Sequence, residues 1–249
     1  MNNAVGRFLG VDGCSGGWVG VTADERQQFL GAPQLWRTAD AMIAALSEFA
    51  LVLIDIPIGL PEGAPCRRGC DIEARKLLLR RRSSVFLPPA RATLQAQDYT
   101  SANAINCKRC GKKISKQMWN ILPRVRAIDR LLRRDRRLQQ KLRESHPEVC
   151  FLKLKDGRPA RHSKKTPAGQ RERLRLLARH SGNARRYYRD AGGSFARKEM
   201  ALDDLLDAMV LALNASLAGK SGLVSIPEKP EYDSKGLRME MVTAALESS

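Results

Sequence analysis

The sequence predicts an α/β protein whose central mixed sheet, an antiparallel meander plus parallel strands, is flanked by helices and carries a basic helical insertion. Three apolar segments joined by short turns open the chain, which is typical of an antiparallel meander. A fourth segment, residues 51–56, is apolar at nearly every position, as buried parallel strands are. Segments with helical periodicity follow, and most of the basic residues lie among them.

The opening strands are expected at residues 7–12, 18–23 and 27–32, joined by a glycine-rich turn and then by a short polar turn. Thr38 is a suitable N-cap for a helix that reaches about residue 50, because its hydroxyl can accept a hydrogen bond from a free N–H of the first turn. The fourth strand follows this helix. The order is therefore strand, strand, strand, helix, strand.

A single domain over residues 1–249 is expected from the length, with residues 66–145 as a basic helical insertion within it. Asp71 is expected to cap a helix over residues 71–81. A longer helix is expected over residues 115–142, with apolar side chains on one face and arginines on the other.

After the insertion, a short strand is expected at residues 149–152. Two helices are then expected over residues 167–178 and 203–218. Residues 223–226 are expected to form the last strand of the core sheet, and residues 237–241 a short final strand.

The charge is strongly positive and localised. The net charge is +18, and residues 101–200 alone hold 29 Lys/Arg against 8 Asp/Glu, or +21. Because such an imbalance costs self-repulsion, a polyanionic partner is expected, and nucleic acid is the obvious one. Aromatic residues make up only 5% of the chain, which favours duplex or structured nucleic acid over a single strand stacked on rings.

No stretch approaches the roughly 20 apolar residues of a membrane span, and the N-terminus lacks a signal pattern. We therefore expect a cytoplasmic protein with no membrane partner. The sequence leaves the oligomeric state open, a dimer included.

Four of the six cysteines form two closely spaced pairs, Cys66 with Cys70 and Cys107 with Cys110. Their spacing is compatible with a structural Zn²⁺ site made of four thiolates. The alternative is four unlinked thiols on polar loops.

Four aspartates suggest a site for Mg²⁺ or Mn²⁺. Asp12 and Asp55 each end a predicted strand, and parallel neighbours would place both at one edge of the sheet. Asp204 and Asp207 share one face of an otherwise apolar helix, where acids are costly unless they are paired or bind metal. The alternative for such acids is interaction with the helix dipole, which suits Asp204 better than the deeper Asp207. Cleavage of a phosphodiester by two metals needs such converging carboxylates.

Several short motifs together resemble the DUF429 family, a group of predicted nucleases with a ribonuclease-H-like fold. In chain order they are residues 8–19 around Asp12, residues 54–61 around Asp55, Cys70-Asp71 with Ala74-Arg75, residues 82–86 with Arg91, His146-Pro147-Glu148, Lys164-Lys165-Thr166 with Gly169, Asp204-x-x-Asp207-Ala208, and residues 236–240. The pair of acids on the late helix is also similar to that of Holliday-junction resolvases of the RuvC type.

The resemblance implies a metal-dependent nuclease that hydrolyses phosphodiester bonds by a two-metal-ion mechanism. Asp12 would bridge both metals, Asp55 would bind one, and Asp204 and Asp207 would complete the catalytic set. Glu148 is a further catalytic candidate at the start of the strand expected there, and an exposed acid is its alternative.

Two further kinds of side chain could serve the reaction. His146 could donate a proton to the leaving oxygen, although a lone histidine is more often structural. Seven basic residues are candidates for gripping phosphates. Five of these match basic positions of the family and two come from the arginine-rich face of the long helix: Arg75, Arg82, Arg91, Lys164 and Lys165, then Arg130 and Arg134.

Two other functions stay open at this stage. A non-catalytic nucleic-acid-binding protein, stabilised by zinc, would explain the charge but not the acids. An actin-like ATP-dependent phosphotransferase shares the strand order, and Val11-Asp12-Gly13 superficially resembles its Asp-x-Gly turn. No second phosphate loop is present, however, and the basic charge suits ATP poorly.

Overall fold

A computed structural model describes residues 6–246 of the chain. Within them the protein divides into two compact units. The first unit comprises residues 6–55, 141–224 and 242–246, and the second comprises residues 56–140 and 225–241. None of the described helices is both long and apolar enough to span a membrane.

The strands are β1 (Arg7–Cys14), β2 (Gly17–Asp24), β3 (Phe29–Trp36), β4 (Leu51–Ile54), β5 (Leu142–Glu144), β6 (Leu223–Tyr232) and β7 (Arg238–Ala244). The helices are α1 (Ala39–Ala44), α2 (Gly69–Leu78), α3 (Tyr99–Cys110), α4 (Lys116–Arg134), α5 (Leu138–Lys141), α6 (Pro147–Lys153), α7 (Pro167–His180), α8 (Ala184–Ala191) and α9 (Leu202–Ser221). Short 3₁₀ segments occupy Leu46–Glu48, Leu79–Ser84 and Arg91–Gln95.

A five-stranded mixed sheet, in the order β3-β2-β1-β4-β5, lies at the centre of the first unit. The strands β1, β2 and β3 form the predicted antiparallel meander, while β4 and β5 run parallel to β1. The α/β class with a mixed sheet flanked by helices is therefore confirmed.

Helix α9 packs directly on this sheet. Thirteen of its residues are buried, which is why its sequence is apolar on almost every side. It lies so close to β1 that a side chain at Gly10 would collide with the backbone of Ala208 and Ala212. The glycine therefore sets the distance between the first strand and this helix.

One predicted strand is a helix, and another lies outside the core sheet. Residues 149–152 belong to helix α6, which begins at Pro147; all four are buried. A short apolar run cannot by itself distinguish a buried helix from a buried strand. Residues 223–226 open β6, which pairs with β7 in a separate two-stranded sheet and does not join the core sheet. The fifth strand of the core sheet is β5.

The predicted helices are present, with shifted ends. Thr38 caps α1 as expected, but the helix ends at Ala44 and a 3₁₀ turn follows. In the second unit, Asp71 lies inside α2 and does not cap it. Its carboxylate accepts two hydrogen bonds from the buried Arg68, at 2.5 and 2.9 Å. Helix α4 ends at Arg134, short of the expected residue 142.

Candidate acid site and basic surfaces

Asp12 and Asp55 lie at the same edge of the sheet. Strands β1 and β4 are parallel, with Val11 opposite Ile54, so the next residue of each segment is an aspartate. The Asp55 N–H donates to the Val11 carbonyl at 3.0 Å, which continues the pairing by one step. Asp12 is buried and accepts a hydrogen bond from the Gly13 N–H at 2.7 Å. The apolar strands therefore hold two carboxyl groups at adjacent backbone positions.

Asp207 joins these two acids from α9. Its side chain is fully buried, because the close approach of α9 to β1 at Gly10 brings this face of the helix onto the sheet. One carboxylate oxygen, Oδ2, accepts a hydrogen bond from the Lys164 ammonium. The other, Oδ1, is buried with no hydrogen-bond partner among the described residues. Residues 12, 55 and 207 thus meet in one cluster, as the sequence predicts.

The pKa values of the three acids are raised, in part by the charges of neighbouring acids. Burial, followed by the charges of Asp55 and Asp207, raises the pKa of Asp12 well above its usual 3.8. Burial also raises the pKa of Asp55, and that of Asp207 to about 6. The Lys164 ammonium opposes the rise at all three carboxyl groups. Shifts with these causes indicate that the groups are neighbours in a poorly solvated place.

Lys164, a predicted phosphate-binding residue, contacts the acid cluster. It contacts Asp207, and the charge of that carboxylate is the main cause that raises the pKa of the lysine. Its ammonium is therefore charged across the physiological pH range and lies where a cation would be attracted. The neighbouring Lys165 is exposed, as a phosphate-binding side chain can be.

Glu148 lies in the first turn of α6 and forms a buried ion pair with Arg173 of α7. Its charge contributes to raising the pKa values of Asp55 and Asp207, so it is a neighbour of the acid cluster. His146 is the N-cap residue of the same helix and is buried. Its charge lowers the pKa of Asp55, which places it beside that carboxyl group.

Arg173 was not among the predicted site residues, although its spacing offers a signal. The buried positions of α7 are Gly169, Arg173, Leu176 and Leu177, which share one helical face. An arginine at a core-facing position of a helix needs a buried acid as partner. Periodicity alone could therefore have marked Arg173, but it could not have identified Glu148.

Asp204 acts mainly at the end of its helix. Its carboxylate accepts a hydrogen bond from the Ala201 N–H at 3.0 Å, which satisfies a free donor before the first turn of α9. Its charge is the smallest of the causes that raise the pKa of Asp12. Asp204 therefore borders the cluster, and the helix-end alternative accounts for its main contact.

Arg91 does not lie where its predicted role requires. It is buried in the second unit and paired with Asp129, at 2.6 Å, and with Asp233. Its guanidinium group is enclosed by acids and is not available to phosphates, so its predicted role in nucleic-acid binding is wrong. Arg130 and Arg134, by contrast, lie on the exposed face of α4.

Arg75 and Arg82 line a cavity of about 1010 Å³ in the second unit. Arg82 is exposed, while Arg75 is half-buried and donates a hydrogen bond to the Val85 carbonyl at 2.9 Å. Both predicted phosphate contacts therefore belong to one basic concave surface.

The predicted four-thiolate zinc site is wrong. Cys66 and Cys110 form a disulfide bond, with their Cα atoms 5.4 Å apart. Cys70 is a buried free thiol and Cys107 an exposed one. Cysteine spacing indicated two local pairs, whereas the chain joins one member of each pair across a separation of 44 residues.

The chain was compared with known proteins. A family model described as "Protein of unknown function (DUF429)" matches residues 10–232. Searches of curated proteins and of solved structures found no match. Because the matched segment covers most of the chain and includes all three acids of the cluster, the protein belongs to the DUF429 family.

Proposed function

We propose that the protein is a metal-dependent nuclease that hydrolyses phosphodiester bonds of nucleic acid. The observation that carries the proposal is the convergence of Asp12, Asp55 and Asp207, which are remote in sequence. Asp12 and Asp207 are buried, and Asp55 is half-buried. Burying carboxylates together is costly unless a cation compensates for them. Carboxylate oxygens are ligands that Mg²⁺ and Mn²⁺ prefer.

The charges around the cluster favour the binding of a divalent cation. Glu148 is balanced by Arg173, and the positive charges that act on the aspartates are those of Lys164 and, at Asp55, of His146. Even with both counted, three ionised aspartates leave negative charge in excess. The free Oδ1 oxygen of Asp207 offers a ligand atom that no described hydrogen-bond donor satisfies. One divalent cation would offset the excess negative charge and would bind the unsatisfied Oδ1 oxygen.

The residues of the cluster suggest distinct roles. A bound cation supplies Lewis-acid activation of the phosphate and of the attacking water. Asp12 is fixed by the strand and by the Gly13 N–H, which suits the central ligand. A second cation, as a two-metal-ion mechanism needs, would compete with Lys164 for Asp207. We propose that the lysine then moves to a phosphate oxygen of the substrate. His146, beside Asp55, is suited to hold the proton that the leaving oxygen takes.

The fold of the first unit supports the same proposal. The chain follows the order strand, strand, strand, helix, strand. Asp12 follows the last residue of β1 that pairs with β4, and Asp55 directly follows β4. This order is that of ribonuclease-H-like proteins, and we propose that fold for the unit. The net charge of +18 and the exposed arginines of α4 favour nucleic acid as the substrate.

The proposal is tested by incubating the protein with labelled duplex, hybrid, junction and single-stranded substrates in Mg²⁺ or Mn²⁺. We expect cleavage of at least one substrate by the wild type and loss of about 100-fold or more in Asp12→Asn, because the central ligand is lost. Asp203→Asn is the matched control. It removes the same charge from the first turn of α9, outside the cluster.

Two results would contradict the proposal. Asp12→Asn could cleave as fast as the control, which would place the activity elsewhere. The wild type could instead bind nucleic acid tightly and leave every substrate intact, which would favour a non-catalytic binding protein.

A further inference from the structure

The basic concave surface of the second unit, here called the basic groove, gathers positive charge without compensation. Six cationic side chains line it: Arg67, Arg75, Lys76, Arg80, Arg82 and Lys112. None of the described residues that line it is acidic. Like charges held together on a concave surface repel one another and strengthen the local field, so an anion is the expected occupant.

Local structure explains how the groove forms. Ile72, Arg75 and Lys76 share one face of α2, being three and four residues apart. The chain then turns at Leu79, whose φ of +47° is unusual for a residue with a side chain. The following 3₁₀ segment carries Arg80 and Arg82 along the groove. The groove therefore consists of two successive, differently directed segments of the chain.

Exposed aliphatic side chains lie beside the charges. Leu79 is 63% exposed and Leu87 is 37% exposed, and Ile72 lines the same cavity. A single exposed leucine needs no explanation, but several aliphatic groups within one cationic groove suggest a ligand with both an anionic and an apolar face. A duplex turns its phosphates outward and keeps its base faces stacked inside. Unpaired nucleotides present phosphates and base faces together.

We propose that the basic groove binds an unpaired stretch of nucleic acid. The arginines and lysines hold the phosphates, and the base faces pack on Ile72, Leu79 and Leu87. The volume of about 1010 Å³ lies at the upper end of the range of about 300–1,000 Å³ for small-molecule pockets, which suits more than one nucleotide. Aliphatic packing also suits a chain in which aromatic residues make up only 5%.

This inference rests on the proposed function for the identity of the polyanion. It narrows the expected substrate from duplex or structured nucleic acid to nucleic acid with an unpaired segment. It does not require cleavage, so binding is measured in EDTA and on an Asp12→Asn background.

The test is fluorescence anisotropy with a labelled oligothymidine and with a duplex of equal length. Arg80 and Arg82 are exposed, so the double variant R80E/R82E is expected to fold. We expect the Kd for the single strand to rise about tenfold or more, and the slope of log K against log salt to fall by about 1.4 for two lost phosphate contacts. The control R26E/R171E makes the same change in net charge at exposed positions of the first unit.

Leu79→Asn tests the apolar part of the groove, because it replaces an exposed aliphatic side chain with a polar one of similar size. We expect weaker binding of the single strand, by about threefold or more, and unchanged binding of the duplex. Thermal unfolding of each variant checks that the fold is intact.

Three results would overturn the inference. The control could weaken binding as much as R80E/R82E, which would show a diffuse charge effect. Leu79→Asn could leave the single strand unaffected, which would indicate a surface for phosphates alone. Finally, vesicles of phosphatidylglycerol could bind through these residues while oligothymidine binding stays unchanged. Failure of the nuclease proposal reads out separately, as unchanged binding without cleavage.

Discussion

Replacing Asp207 with asparagine is expected to stabilise the metal-free protein above neutral pH. Burial raises the pKa of this carboxyl group from 3.8 to about 6. Because folding raises this pKa, the folded protein is most stable, as far as Asp207 is concerned, below pH 3.8, where the carboxyl group is protonated in both states. That contribution to the free energy of unfolding is lost as the pH rises through about 6. Since one pKa unit corresponds to about 1.36 kcal/mol, ionised Asp207 costs the fold about 3 kcal/mol at pH 8.

The prediction is checked by thermal unfolding in EDTA at pH 5 and pH 8. Between these values the wild type should lose more stability than Asp207→Asn, and the variant should melt higher at pH 8 by up to about 6–12 °C. Asp203→Asn should follow the wild type, because Asp203 lies outside the cluster. An identical pH dependence in Asp207→Asn and the wild type would refute the idea that Asp207 carries a buried charge.

Two further substitutions test the ion pairs around the cluster. Arg173→Gln leaves Glu148 buried without its partner and should lower the free energy of unfolding in urea by about 3–5 kcal/mol. The control Arg171→Gln, at an exposed position of the same helix, should lower it by less than about 0.5 kcal/mol. Equal losses would contradict the structural role of Arg173. Lys164→Met removes the ammonium that competes with a cation for Asp207, so the affinity for Mn²⁺, measured by calorimetry, should rise about tenfold or more. A fall in affinity would mean that the lysine helps to hold the cation.

The acid cluster could be predicted because each acid interrupts an apolar pattern. Asp12 and Asp55 directly follow the residues at which β1 and β4 last pair, and this parallel pairing follows from the hydrophobicity of the strands. Asp207 stands on a helix that is otherwise apolar on every side. Both patterns depend only on neighbours in sequence, and those are visible without coordinates.

Pairings between remote residues could not be predicted in this way. Arg91 is one of many arginines in the sequence, and only the fold shows that Asp129 and Asp233 surround it. Likewise, Cys66 pairs with the distant Cys110 and not with its neighbour Cys70. Spacing along the chain indicates local sites, but it carries no information on contacts made by tertiary packing.

The misassigned helix α6 has a different cause. Its four consecutive buried residues, 149–152, fit a strand as well as a helix, because burial on all sides removes the periodicity that separates the two. Pro147 at its first position was the available helix signal. That error moved Glu148 from a strand to the first turn of a helix, where it meets Arg173.

The nuclease function requires that the cluster of Asp12, Asp55 and Asp207 holds a divalent cation. Crystals soaked in Mn²⁺ would answer this through the anomalous signal of the metal. We expect a peak within about 2.0–2.3 Å of carboxylate oxygens of Asp12 and Asp207, with Asp55 beside it. A map without such a peak at saturating Mn²⁺, with Lys164 still paired to Asp207, would contradict the proposal.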